Sequence, residues 1–138
     1  MERKIERSKE KKLRIAGVGI TQDTLTSRGG LSLFVRYLDK IGVMSHMHRL
    51  FGGIRKSRKG KSVEEIFKQV LCNFVDGTSR HLVYYDRLKD DAGYSGVIES
   101  RAEELVSSHG VKRFFNGFSL PWIWLFRRLF SGIVYRID

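Results

Sequence analysis

Apolar residues recur along most of this chain with the spacing of an amphipathic helix. Leu31, Phe34, Val35, Leu38 and Ile41 lie on one stripe that Gly42 terminates. Val43, Met44, Met47, Leu50 and Phe51 form a shorter stripe ending at Gly52-Gly53. The clearest helix follows Ser62. Ser62-Val63-Glu64-Glu65 reads as a capping box, with the Ser62 hydroxyl accepting from the Glu65 amide and the Glu65 side chain returning to the cap. Behind it Val63, Ile66, Phe67, Val70, Leu71, Phe74 and Val75 share a face, and Gly77 closes the helix. Cys72 falls opposite that stripe and is expected to face solvent or a partner.

The second half of the chain continues in short pieces. Residues 80–89 read as a short helix or turn-rich segment, and 92–106 as one or two more around Tyr94, Val97, Ile98, Leu105 and Val106. Ser107 or Ser108 then caps a helix over 108–119, with Val111, Phe114, Phe115 and Phe118 behind and Lys112, Arg113 and Asn116 in front. Pro121 suits the start of a last, very apolar helix through Trp122, Ile123, Leu125, Phe126, Leu129, Phe130, Ile133 and Val134. Leu13–Thr21 is a β-branched, Gly-punctuated run that predicts one short N-terminal strand with no obvious partner, and residues 1–12 a flexible charged tail. The expected class is mainly α: a bundle of about six to eight short helices in one domain over 13–138, with a helix-turn-helix-like unit in 80–119.

Composition supports a packed fold. The 138 residues are 41% hydrophobic and 12% aromatic, enough to close a core. The single cysteine excludes an internal disulfide framework and a Cys-based zinc site. The N-terminus carries charge where a secretory signal would carry an apolar stretch, so a cytoplasmic, nucleoid-associated location is expected. The longest apolar run, Leu120 to Phe126, is interrupted by Arg127-Arg128 and is too short to span a bilayer.

Charge changes the picture most. The net charge is +11, and it is blocked: +4 over 1–14, +1 over 15–48, +6 over 49–61, −4 over 62–111 and +4 over 112–138. Basic blocks flanking an acidic middle look like patches for a polyanion, with nucleic acid the first candidate and an anionic membrane surface the second. The candidate DNA-binding residues are Arg55, Lys56, Arg58, Lys59 and Lys61 in the linker block, with Lys112, Arg113 and Asn116 on the capped helix. Catalytic signals are weak. His46 and His48 are two apart, which points them about 160° from each other on a helix and argues against a shared metal. Gly17 and Gly19 lack the rest of a phosphate loop, and Tyr84-Tyr85 lacks the Arg/His cluster that a nucleophilic tyrosine needs. Asp86, Asp90 and Asp91 read as caps and solvated charge before metal ligands.

Four stretches taken in order, Leu25-Thr26-Ser27-Arg28-Gly29-Gly30-Leu31, Asp76-Gly77, Asp86-Arg87-Leu88-Lys89-Asp90-Asp91, and Ser107-Ser108 leading into Val111-Lys112-Arg113-Phe114, resemble the N-terminal region of bacterial insertion-sequence DDE transposases. The resemblance covers about residues 13–118. It implies a helical domain that binds transposon-end double-stranded DNA during DNA transposition, ahead of a ribonuclease-H-like catalytic domain whose acids hold a divalent metal such as magnesium. No acid of this chain matches those catalytic positions. The resemblance therefore implies a fragment that binds DNA, carries no catalytic residue or cofactor of its own, and stops before the catalytic domain. It also implies self-association through an apolar surface left over residues 120–136. A stand-alone DNA-binding regulator, and a membrane-surface or protein-interaction module built on Trp122, Trp124, Phe126 and Arg127-Arg128, are the rival expectations.

Overall fold

A computed structural model of the chain describes residues 22, 26–55 and 59–134. Among these residues there are seven α-helices: α1 (Gly30–Lys40), α2 (Val43–Phe51), α3 (Val63–Asp76), α4 (Tyr84–Lys89), α5 (Ala92–Val97), α6 (Ser108–Asn116) and α7 (Leu120–Val134). Short 3-10 turns cover Gly52–Ile54 and Ala102–Glu104, and no strand occurs among the described residues. The mainly α expectation holds. The tail over 1–12, the strand expected at 13–21, and the side chains of Phe130, Ile133 and Val134 lie outside the described set.

Helix boundaries follow the local chemistry. The Ser62 hydroxyl accepts from the Glu65 amide at 3.3 Å, and Gly77 takes the left-handed conformation (φ 64°) that ends α3. The return half of the expected capping box is replaced. The Glu65 carboxylate turns along the helix to Gln69 (2.9 Å) and Lys68 (2.9 Å), and it accepts from the Ser100 hydroxyl. Ser107 rather than Ser108 caps α6, accepting from the Gly110 amide, and Asp91 caps α5 by accepting from the amides of Gly93 and Tyr94.

α3 is the central element, packed against α1, α2 and α6. One of its faces carries Val63, Ile66, Phe67 and Val70 into a core with Val43, Met47 and Phe51 of α2, Tyr85 of α4, and Val111 and Phe114 of α6. The α7 side chains Trp122, Leu125, Phe126 and Leu129 close over that core. Its rings interlock: Phe67 stacks on Phe126 at 5.9 Å and meets Phe114 edge-on at 5.0 Å.

Two expectations about α3 are corrected. Cys72, expected at the surface, is fully buried at 0% exposure in a second core with Leu31, Val35, Leu88, Tyr94, Ile98 and Leu105. Gln69, Cys72, Asn73 and Asp76 form a second helical stripe, from which Cys72 packs with Leu31 and Val35 of α1 and Tyr94 of α5. Phe74 and Val75, assigned to the buried stripe, are instead exposed, Phe74 at 71%. α7 packs over the first half of the stripe only, and Phe74 becomes a wall of an apolar groove of about 410 Å³ with Leu71, Phe115, Phe118 and Ile123.

The polar residues of the second stripe connect distant segments. Buried Gln69 donates to the Glu104 carbonyl (2.9 Å) and accepts from the Val106 amide (2.8 Å), which fixes the strap leading to α6. Arg28, at the turn before α1, reaches Asp91 (2.8 Å), the Tyr84 hydroxyl (2.5 Å) and Asp76 (3.2 Å). Arg28, Asp76 and Asp91, from three separate stretches of the chain, meet in one ion cluster.

Candidate nucleic-acid interface

The linker block and α6 are separate in sequence and adjacent in space. The Gly52–Ile54 turn packs on the end of α6 so closely that a Cβ on Gly117 would come within 2.8 Å of Ile54. From there Arg55 curls back over the following turn, its guanidinium donating to the carbonyls of Lys59 (2.9 Å) and Lys61. Gly60 makes that wrap feasible: its φ is 101°, and a Cβ there would lie 2.8 Å from Arg55 Nη2. Lys61 donates to the Glu103 carbonyl at 2.7 Å, tying the linker to the strap before α6.

Between these segments lies a cleft of about 500 Å³. Among the described residues four cations line it, Arg55, Lys61, Lys89 and Arg113, and no carboxylate does. Its apolar lining residues are Ile54, Ile66, Leu105, Val106 and Phe114, of which all but Ile54 are buried. Ser107 and Gly110, from the cap and first turn of α6, complete one wall, so the positive end of that helix dipole adjoins the cleft. Arg55 and Lys61 bond to neutral carbonyls, which leaves their positive charge uncancelled and several of their N–H donors available.

Three of the eight expected binding residues, Arg55, Lys61 and Arg113, thus share one site. Lys112 and Asn116 are exposed on α6 outside its lining, and Lys59 is exposed on the linker. Lys56 and Arg58 lie outside the described residues. Lys89, which sequence reasoning missed, joins from the end of α4.

Two nearby acids are used elsewhere. Asp86 accepts from the Ser108 amide (2.9 Å) and hydroxyl (2.6 Å), pinning the start of α6 to α4. Those two hydrogen bonds hold its carboxyl below the usual carboxylate range. Asp91 caps α5 and pairs with Arg28. Asp86 and Asp91 therefore serve as caps, as their sequence context suggested. Among the described residues no group of three or more His, Cys, Asp or Glu could hold a metal ion. His46 turns back to the Gly42 carbonyl at 2.9 Å, and His48 pairs with Glu64 at 2.8 Å.

The connection from α4 to α6 contains α5 and the Ala102–Glu104 turn, and it is longer than the few residues that join the two helices of a helix-turn-helix. α6 nevertheless packs on α4 with Lys112, Arg113 and Asn116 outward. The α7 aromatics divide. Trp122 and Phe126 pack against Phe51, each at 5.9 Å, whereas Trp124 is exposed with Arg128 5.5 Å from its ring centre. A membrane-surface role therefore loses two of its three aromatic anchors. No described helix is long and apolar enough to cross a membrane.

No protein-family model matches this chain, and no curated protein or solved structure is significantly similar to it.

Proposed function

We propose that the chain binds double-stranded DNA, placing the phosphate backbone against the cleft of Arg55, Lys61, Lys89 and Arg113 and the adjoining outer face of α6. The observation that carries this reading is the convergence of four cations from separate stretches of chain on one cleft that no carboxylate of the described residues lines. Lys59, Lys112 and Asn116 extend the same surface, and Lys56 and Arg58 belong to its basic block by sequence. Within this reading the resemblance to insertion-sequence transposases gives the biological setting, recognition of transposon ends, and the chain contributes DNA contacts and no catalytic group.

Fluorescence anisotropy with a labelled duplex at several salt concentrations tests it. If the four cleft cations each neutralise a phosphate, log K against log salt should have a slope of about −3.6, from about −0.9 per phosphate. Charge reversal of Arg113 and Lys89 together should flatten that slope by about 2. Affinity independent of salt would refute the reading. Preference for an element's terminal repeats favours the transposase setting, and a dimer preferring a palindrome favours a stand-alone regulator.

A second reading, a protein-interaction module, draws on the groove between α3, α6 and α7, where Phe74, Phe115 and Ile123 are exposed side by side. It predicts a stable complex or self-association without any need for DNA.

A further inference from the structure

The shape of the basic cleft carries more than its charge. A duplex presents its internal phosphates on a convex surface, one diester charge at a time, and a flat basic face is enough to meet them. The site here is concave and of about 500 Å³, within the range of roughly 300–1,000 Å³ typical of small-molecule pockets. Four cations of the described residues gather around this small cavity, and its apolar lining residues Ile66, Leu105, Val106 and Phe114 are buried. That combination suits a compact anion with a dense charge.

We propose that this cleft takes the terminal phosphomonoester of a nucleotide, the phosphate meeting Lys89 and Arg113. A phosphomonoester carries about −1.5 to −2 at neutral pH, against −1 for a diester, and offers three acceptor oxygens to arginine and lysine donors. Carboxylates of an acidic peptide would bring single charges spaced by the chain, a poorer match to four cations around one small cavity. The source of the nucleotide is either the 5′ end of a nucleic acid or a free mononucleotide. The inference rests on the DNA reading only for that source, and on the cleft itself for the chemistry.

The test compares three probes with the full chain: a blunt duplex with 5′ phosphates, the same duplex with 5′ hydroxyls, and dAMP titrated directly and as competitor. Lys89 and Arg113 are exposed, so K89Q/R113Q should keep the wild-type circular dichroism spectrum. The expected result is at least tenfold tighter binding of the phosphorylated duplex, reduced below twofold in K89Q/R113Q. Competition by dAMP then assigns the site to any 5′-nucleotide, and its failure to compete assigns it to nucleic-acid ends. Direct dAMP binding that K89Q/R113Q loses, with neither duplex bound, upholds the cleft and overturns the DNA reading. Equal affinity for both duplexes with no dAMP binding overturns the terminal-phosphate site and leaves the DNA reading standing. A preference unaffected by K89Q/R113Q, or displacement of the phosphorylated probe by polyglutamate as effectively as by dAMP, also overturns it. Binding of none of the probes overturns both.

Discussion

Replacing Arg28 should cost far more stability than replacing Arg36, although both make short ion pairs. Arg28 is 18% exposed and faces Asp76 at 9% and Asp91 at 32%, whereas Arg36 and Glu99 are 72% and 42% exposed at 3.0 Å. Removing one partner of a buried pair leaves the other charge desolvated, at a cost of about 3–5 kcal/mol, while exposed pairs contribute about 0–1 kcal/mol. Arg28 retains some contact with water, so R28M belongs at the lower end, about 3 kcal/mol. R36M should stay within about 0.5 kcal/mol. Asp76 supplies most of the difference, because its second carboxylate oxygen is already buried without a hydrogen-bond partner.

Urea unfolding followed by circular dichroism reads this directly. With a slope of about 2 kcal/mol per molar, R28M should lower the midpoint by about 1.5 M and R36M by less than about 0.3 M. D91N should cost about 1 kcal/mol, since an asparagine oxygen still caps Gly93 and Tyr94 and only the ionic contact to Arg28 is lost. The double variant R28M/D76N should recover part of the R28M loss by removing the stranded charge. Equal midpoints for R28M and R36M would refute the reasoning, and so would strict additivity of R28M and D76N.

Other consequences follow from named contacts. The Asp86 carboxyl is held below its ordinary value by Ser108, so its contribution is present above the unfolded value near 3.9 and is lost as pH falls through the folded one. The stability gap between wild type and D86N should therefore be constant above about pH 5 and close below about pH 4, and parallel urea midpoints down to pH 3 would contradict this. Burial pushes the Cys72 thiol up to about 12, so it should react with a disulfide reagent roughly a hundredfold or more slower than in denaturant; equal rates would place it at the surface. If the groove beside Phe74 mediates self-association, F74S should shift the chain to smaller species in sedimentation velocity without lowering its urea midpoint, because that side chain lines the groove and is 71% exposed.

Periodicity served α3 well where one face is apolar and failed where the other is polar. Ser62, Gly77 and the stripe Val63–Ile66–Phe67–Val70 are local signals, and the structure uses them as read. Gln69, Cys72, Asn73 and Asp76 also share a face, but a polar stripe reads as solvent-facing unless its partners are known. Those partners are long-range: Val106 and Glu104 for Gln69, and Arg28 for Asp76. The exposure of Phe74 has the same origin, since no local pattern reports where α7 stops covering α3.

The candidate site was legible as charge and illegible as geometry, and Lys89 shows why. It lies in the segment of net charge −4, where averaging assigns it to an acidic surface. Its neighbours Asp86 and Asp91 are drawn into caps by Ser108, Gly93 and Tyr94, and into the ion cluster by Arg28, so their carboxylates are absent from the cleft lining. The field that a ligand meets is set by which charges already have partners. The same contacts that shape α5 and α6 therefore keep these two carboxylates out of the cleft lining, and because Asp86 still interacts electrostatically with Lys89, its loss should perturb the cleft through the position of α6 and through its charge.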